Sequence, residues 1–249
     1  MKSFALLALL AVPTSAQTLG IGDLAVSPAE DRWRFLVVPY LWTASLDGTI
    51  AQGNVPEVDV EADFGDLFEN LDFAAAAFVS ARRGPFVVYS DFSYTELGVE
   101  ETVAGSSVDI ESTIYWVSVA AGHTVSDGND HSIDLFAGLR YTVLDNEARS
   151  SGGVTASNTS NESWLDPLIG FNARTVVSEK VDASLLVDIG GFGVGSDFTY
   201  ELLPSASYQF TDLLSAHVGF RLLDTNFEDS DFEYDVAQSG WIFGLGFAF

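Results

Sequence analysis

The chain has 249 residues, of which 36 are acidic and only 10 are basic, so its formal net charge is −26. Such a surface repels phosphates and offers no counterion release, which excludes nucleic acid as a partner. Hydrophobic residues make up 47% of the chain, which excludes a disordered protein, and the absence of cysteine excludes a disulfide framework.

The first residues have the pattern of a secretory signal. Lys2 supplies a positive start, Phe4–Val12 form an apolar run, and Thr14-Ser15-Ala16 place small residues where a signal peptidase would cut. The run is too short to span a bilayer, and no cysteine follows it to carry a lipid anchor. The predicted organisation is a signal peptide at 1–16, a short periplasmic lead-in at 17–31 and one folded domain at 32–249.

Beyond the signal, the chain consists of stretches with the period-two alternation of β-strands. The longest apolar run among them, Phe73–Val79, has only 7 residues, so no transmembrane helix is predicted. A membrane protein without such helices must be a closed barrel, because only closure pairs every backbone group in lipid. The predicted strands are Trp33–Leu46, Leu71–Arg83, Phe86–Gly98, Val108–Thr124, Ser132–Asp145, Ser163–Val176, Val181–Gly191, Asp197–Phe210, Leu213–Asn226 and Asp235–Phe249.

The predicted connections alternate between short turns and long loops, apart from a tight link at Phe192–Ser196. This alternation is typical of an antiparallel up-and-down barrel in the outer membrane, with an even strand number and both termini in the periplasm. Ten strands are expected; eight or twelve stay open, because Val55–Phe64 also alternates and could pair beyond the membrane. The long loops are predicted at Asp47–Asn70, Val99–Ser107, Asn146–Glu162 and Phe227–Tyr234.

The last strand separates large side chains from small ones. A soluble sheet would turn the large face to a core, whereas a barrel turns it to lipid and the small face to a narrow interior. The large residues are Trp241, Phe243, Leu245, Phe247 and Phe249, and the opposite face carries Gly240, Ile242, Gly244, Gly246 and Ala248.

Charged residues fall on the strand faces that would point into the barrel. An Arg facing lipid at the middle of the bilayer would cost about 2–4 kcal/mol, whereas an inward Arg can pair with a carboxylate. We expect either a charge-paired plug or the lining of a narrow polar pore, and the plug is favoured. The predicted network contains Arg82, Asp91, Asp134, Arg140, Asp166, Arg174, Asp188, Glu201 and Arg221.

Aromatic residues near strand ends predict the two girdles that mark the edges of a bilayer. Three prolines are awkward in a closed sheet, because each removes a ladder donor, and they suggest bulges or positions near the membrane edge. They are Pro39, Pro167 and Pro204, and the predicted girdle residues are Phe86, Tyr94, Trp164, Phe198, Phe210, Trp241 and Phe249.

Three local patterns resemble functional sites, but none predicts a catalytic, cofactor or metal site. The glycine-rich Asp188–Asp197 lacks the spacing of a dinucleotide fingerprint, and the acidic residues 229–235 lack the turn glycine and closing glutamate of a calcium loop. Ser215 and His217 share a strand face and could form a nucleophile–base pair. A polar interior histidine is the favoured interpretation, so no enzyme is predicted.

The mature chain resembles the small Gram-negative outer-membrane β-barrel proteins of the OmpA-like and OmpW-like group. The resemblance is carried by Pro39-Tyr-Leu-Trp42, Asp188-Ile-Gly-Gly-Phe-Gly-Val-Gly-Ser-Asp197, Gly219-Phe-Arg-Leu-Leu-Asp224 and Phe247-Ala-Phe249. It implies an integral outer-membrane location and a terminal strand, with Trp241, Phe247 and Phe249, that the barrel-assembly machinery reads. It does not single out an activity, because the group includes anchors, narrow pores and apolar-solute channels.

The sequence thus favours a non-enzymatic barrel with a structural role in the envelope. A narrow channel for small solutes is the alternative, and a lipid-modifying enzyme is a third, less favoured one. Expected partners are outer-membrane lipid and lipopolysaccharide, with divalent cations bridging the acidic loops to phosphate. No cofactor is expected.

Overall fold

The computed structural model describes residues 32–52, 58–103, 106–151, 156–230 and 232–249, so the predicted signal peptide and lead-in lie outside the described residues. None of the helices within these ranges is long and apolar enough to span a membrane. The elements found there are β1 (Arg34–Gln52), β2 (Val58–Ala62), α1 (Phe64–Glu69), β3 (Leu71–Arg83), β4 (Phe86–Val103), β5 (Ser106–Asp127), β6 (His131–Ser151), β7 (Ala156–Ser178), β8 (Val181–Gly191), β9 (Phe198–Gln209), β10 (Leu214–Asp229) and β11 (Phe232–Ala248).

Ten of these strands form a closed antiparallel barrel. Each long strand pairs with its neighbour in the chain, and β11 pairs with β1 to close the sheet. The closing ladder runs from Leu36 opposite Ala248 to Gln52 opposite Phe232, and Phe35 and Phe249 exchange backbone hydrogen bonds of 2.8 and 3.0 Å. The predicted up-and-down barrel of ten strands is therefore confirmed, and β2 is an additional strand outside the ring of ten.

The predicted long loops are wrong in extent, because most of their residues continue the strands. The β4–β5 ladder runs to Val103 opposite Ser106, the β6–β7 ladder to Ser150 opposite Ala156, and the β10–β11 ladder to Asp229 opposite Phe232. The alternation fades there because neither face of a hairpin outside lipid has to be apolar. Backbone pairing needs no such pattern and continues without it.

The segment between β1 and β3 contains both an expected and an unexpected element. Val58–Ala62 pairs with Ile50–Leu46 of β1, as the alternation at Val55–Phe64 had suggested. Helix α1 was not predicted from the sequence. Asp63 caps it: its side chain accepts from the Asp66 backbone N–H at 3.0 Å, and the Asp66 side chain accepts from the Asp63 N–H at 3.3 Å.

The barrel carries a continuous outer belt of exposed apolar side chains. Leu41 is 70% exposed, Leu139 49% and Phe243 51%, and each alternates with an inward neighbour along its strand. A soluble protein rarely exposes a contiguous apolar surface of this extent, whereas a lipid-facing barrel requires one. The architecture is therefore that of a transmembrane β-barrel. We call the end with the short turns and the start of β1 the turn end, and the opposite end the loop end.

Each of the three prolines marks an interruption in a ladder. The β1–β3 ladder ends at Pro39, and the β7–β8 ladder begins at Leu168, directly after Pro167. The β9–β10 ladder skips Pro204. The missing N–H donor thus coincides with a ladder end or a gap. The bulges suggested by the sequence are not at the prolines, because the register shifts of the described ladders lie at Leu71–Phe73, Thr124–Ser126 and Val176–Ser178.

Candidate functional site

Two buried arginines and three buried carboxylates occupy the middle of the barrel interior. Arg221 donates from Nη1 to the Tyr40 hydroxyl at 2.7 Å and from Nη2 to Asp91 at 2.8 Å. Its Nε lies 2.9 Å from a Glu201 carboxylate oxygen. Arg221 is only 2% exposed, so these partners replace the water that its charge has lost.

Arg140 approaches the same group of carboxylates from the opposite wall of the barrel. It donates from Nη2 to Glu201 at 2.6 Å and to Asp188 at 3.2 Å, and from Nε to the Ser118 hydroxyl at 3.1 Å. Glu201 therefore bridges the two arginines. We use the name charge layer for Tyr40, Asp91, Arg140, Asp188, Glu201 and Arg221.

A second group of charges lies nearer the turn end. Arg82 forms a two-pronged ion pair with Asp134, which also accepts from Thr124 at 2.6 Å and from the Tyr89 hydroxyl. Asn172 donates to the same hydroxyl at 3.2 Å. These bonds satisfy an ion pair whose acidic member is almost fully buried, at 1% exposure.

The turn end of the interior is hollow. A chamber of about 210 Å³ reaches the short turn at Thr211–Leu213. Arg174 and Asp182 form an ion pair on its wall, and the Ser215 hydroxyl lies 2.9 Å from His217 Nε2. We call this space the turn-end chamber; its lining includes Ser80, Ser132, Ser184, Ser205, Ser207 and Gln209.

An apolar cluster fills the interior towards the loop end. Trp164 and Phe227 stack with ring centroids 4.3 Å apart, and Tyr234 lies 5.8 Å from Trp164. The sequence assigned Trp164 to the outer girdle, which is wrong: it is inward and only 4% exposed. We call this group the aromatic cluster; it consists of Leu144, Trp164, Phe227, Phe232, Tyr234 and Val236.

Asp166 belongs to neither charge group. One of its carboxylate oxygens accepts from the Ser196 backbone N–H at 2.6 Å and from the Ser196 hydroxyl at 2.8 Å. It therefore holds the tight link between β8 and β9, where Gly191 and Gly193 adopt φ values of +82° and +69°. Among the predicted network residues, Asp166 has a local role in this turn.

The predicted assembly residues lie on the outer face of the closing strand. Trp241 is 54% exposed and packs edge-on against Phe220 at 5.5 Å. Phe249 is 69% exposed and stacks on Phe35 at 5.7 Å, and Phe247 is also exposed. None of the three contributes to the interior.

The described residues contain no group of three or more His, Asp or Glu side chains placed to hold a metal ion. The Ser215–His217 pair is the one nucleophile–base arrangement that the sequence singled out. In the part of the chain that the structure describes, no carboxylate is hydrogen-bonded to His217 to orient it.

No protein-family model matches the chain, and no curated relative matches it. Solved barrels of similar shape include the outer membrane protease OmpT from Escherichia coli, at 10% identity and a TM-score of 0.49, covering 90% of this chain and 100% of OmpT. The translocator domain of the autotransporter NalP from Neisseria meningitidis matches at 14% identity and a TM-score of 0.43, covering 91% of each chain.

The attachment invasion locus protein Ail of Yersinia pestis matches at 13% identity and a TM-score of 0.36, covering 87% of this chain and 98% of Ail. At these values none of the three activities carries over to this chain.

Proposed function

We propose that this protein is a non-enzymatic, non-conducting integral barrel of the bacterial outer membrane, with its turn end and both termini in the periplasm. Its role is structural, in the cell envelope. The observation that carries the proposal is a double closure of the interior, by the charge layer and by the aromatic cluster.

The two closures act through different physics. The charge layer spans opposite walls, because Arg140 of β6 and Arg221 of β10 meet on Glu201 of β9, so an ion would have to displace buried and paired charges to pass. The aromatic cluster beyond it is mainly apolar; its polar groups are the Tyr234 hydroxyl, which accepts from Gln238 Nε2 at 3.0 Å, and the buried Trp164 Nε1. A hydrated ion cannot shed its water there without a large cost. The turn-end chamber lies on the turn-end side of both closures and does not continue past them.

Placement in a membrane follows from the outer belt and its aromatic edge. Tyr94, Tyr115 and Tyr141 face outward near the edge of the apolar belt that is closer to the loop end. Trp241 of β11 belongs to the same aromatic girdle. The described side chains beyond it on the same faces include Glu96, Glu111 and Asp145. This is the distribution expected for a lipid-facing barrel whose long hairpins project into water.

Planar-bilayer recording tests the proposal directly. The purified protein should insert without producing unit conductance steps, in either polarity. A variant with Trp164→Ala, Phe227→Ala and Arg221→Ala opens both closures and should produce them. Unit steps from the unchanged protein would overturn the closed barrel and favour a narrow channel for small solutes, for which the turn-end chamber would be the entrance.

A lipid-modifying enzyme is the remaining alternative, and the 2.9 Å contact between Ser215 and His217 is the observation in its favour. Both side chains face the turn-end chamber, whereas a lipid substrate would approach from the outer surface. Incubation with phospholipid or lipid A vesicles should give no product. Turnover that disappears in Ser215→Ala but persists in Ser205→Ala would establish the enzyme.

We further propose that the barrel-assembly machinery recognises the exposed end of β11. Phe249→Ala should lower the amount of folded barrel in the outer membrane, whereas Phe198→Ala, an exposed aromatic on β9, should not. The OmpA-like or OmpW-like grouping stays a prediction from the sequence.

A further inference from the structure

The barrel wall has an interruption between β1 and β3. Their ladder ends at Pro39 opposite Ala77, and β1 finds its next partner on this side only at Leu46, opposite Ala62 of β2. Tyr40–Ser45 and Leu71–Ala76 are therefore not paired with each other in the described sheet. We call this opening, bounded by these two segments, the notch.

The notch follows from chain length. Six residues of β1, 40–45, lie between the two ladders, but the neighbouring segment has fourteen, 63–76, to cover the same distance. The surplus forms α1, which has no buried residue, and β3 leaves β1 as it approaches the helix. Pro39 lies at the point of separation.

The exposure of residues beside the notch indicates a real opening into the wall. Ala74 has an inward register, because it lies opposite Thr95 on the face that carries the buried Ser93 and Asp91. An inward alanine in a closed wall would be covered, yet Ala74 is exposed. Trp42, on the other side, is partly exposed as well.

The side chains beside the notch are mainly apolar, although the centroid of the Trp42 ring lies 5.4 Å from the buried Arg221 guanidinium carbon. Trp42 packs edge-on against Trp116 at 5.7 Å, and its buried Nε1 has no hydrogen-bond partner among the described residues. Leu41, 70% exposed, and Phe73, 55% exposed, lie on the outer face of the two segments that bound the notch. Unpaired strand edges in lipid also need partners for their N–H and C=O groups.

The position of the notch along the membrane normal determines which part of a lipid can reach it. Thr43, in the middle of the β1 edge, lies opposite Trp241 of the girdle. The notch therefore opens at the edge of the apolar belt that is closer to the loop end. Helix α1 adds two exposed aromatic rings, Phe64 and Phe68, with centroids 5.6 Å apart, and turns Asp66 to its other side. Such a helix suits the boundary between acyl chains and headgroups.

We propose that the notch binds an acyl chain of an outer-leaflet lipid, which packs against Trp42 while the oxygens near its headgroup pair with the open strand edges. Phe64 and Phe68 of α1 hold the same lipid from outside. The proposal rests on the membrane placement argued above, and the notch is continuous with the apolar belt that defines that placement.

Bromine-labelled phospholipids test it, because a bromine atom on the acyl chain quenches a tryptophan only at short range. The protein is reconstituted into vesicles of dibrominated or unbrominated phosphatidylcholine after Trp33→Phe and Trp241→Phe remove the two exposed indoles. The signal of Trp42 is the difference between this chain and the same chain with Trp42→Phe. It should fall in the brominated vesicles.

A matched pair of variants identifies the route. Ala74→Leu fills the notch from its inward face and should restore the emission of Trp42, whereas Ala75→Leu, on the outward face of the same strand, should leave it quenched. Equal emission of Trp42 in both kinds of vesicle would overturn the notch as a lipid site, as would quenching that Ala74→Leu does not change.

Failure of the notch is distinguishable from failure of the membrane placement. In the protein that keeps Trp241, brominated lipid should quench that residue whether or not the notch is occupied. Quenching of Trp241 without quenching of Trp42 would contradict lipid binding in the notch alone. Quenching of neither residue would contradict the membrane placement as well.

Discussion

The Arg221 guanidinium and the Asp91 carboxylate meet at 2.8 Å inside the barrel, although 130 residues separate them in the chain. Both are buried, so each depends on the other for the solvation that water no longer supplies. Removal of one member of such a pair leaves an uncompensated buried charge, which costs about 3–5 kcal/mol.

Arg221→Met should therefore lower the free energy of unfolding by about 3–5 kcal/mol, because Asp91 then loses its arginine and Glu201 is left to share Arg140 with Asp188. The measurement is urea unfolding of the barrel in lipid vesicles. The control is Arg149→Met, whose ion pair with Glu147 is exposed and should contribute no more than about 1 kcal/mol. Equal effects of the two substitutions would mean that the charge layer is hydrated.

Trp164→Ala should also destabilise the barrel, by about 3–5 kcal/mol, because it leaves a cavity beside Phe227 and Tyr234. Trp33→Ala removes the same side chain from a partly exposed site where no enclosed cavity forms, and should cost less than Trp164→Ala. Unfolding of both variants under the same conditions gives the comparison. A cost at Trp164 no larger than that at Trp33 would contradict an ordered cluster.

The sequence was sufficient to predict the ring of ten strands, because lipid imposes a strict alternation of outward and inward side chains. Every residue of a spanning strand faces either hydrocarbon or the interior, so Leu139 and Arg140 could be assigned to opposite faces by parity alone. The same rule brought Arg140, Glu201 and Arg221 to one interior. Which carboxylate pairs with which arginine depends on strand register and barrel width, which parity does not contain.

The sequence failed where the lipid constraint ends. Trp164 was assigned to the girdle from its place near a strand end, although it lies two residues from the inward Asp166 and therefore on the same face. Applying parity consistently would have found it. Helix α1 has only six residues, too few for a periodic signal, and its capping pair Asp63 and Asp66 was the one available clue.

Gly240 is required for closure of the barrel between β11 and β1. A Cβ at this position would lie 2.0 Å from the Thr43 carbonyl oxygen and 3.0 Å from the Ala44 Cα, both backbone atoms that cannot move alone. Gly240→Ala should cost at least about 1–3 kcal/mol, the usual cost of overpacking, and slow assembly of the barrel.

Heat-modifiable migration of the folded barrel in gels measures the effect. The control is Gly193→Asn, because Gly193 has a φ of +69° but nothing within 4 Å of a Cβ, and asparagine tolerates this conformation. Stable folding of Gly240→Ala with an unchanged melting temperature would show that the two strands can separate without loss.

The Asp224 carboxylate, beyond the girdle at the loop end, makes stability depend on pH. Burial raises the pKa of Asp224 above its ordinary value, and the negative charge of Asp235 raises it further. The folded state therefore binds a proton more tightly than the unfolded state, so this group destabilises the barrel at neutral pH. The penalty starts to decrease as the pH falls through the raised pKa and is lost below the ordinary pKa of the unfolded chain.

Asp224→Asn should consequently raise the melting temperature at pH 7, by no more than about 4 °C for so exposed a pair. The gain should shrink as the pH falls and vanish below the ordinary carboxyl pKa of the unfolded chain. Asp235→Asn relieves the same repulsion, so the double variant should gain less than the two single gains together. Thermal unfolding between pH 3 and about pH 8, a range that includes the ordinary carboxyl pKa values, gives all three comparisons. A gain that persists at the acidic limit, or a loss of stability at pH 7, would contradict the repulsion.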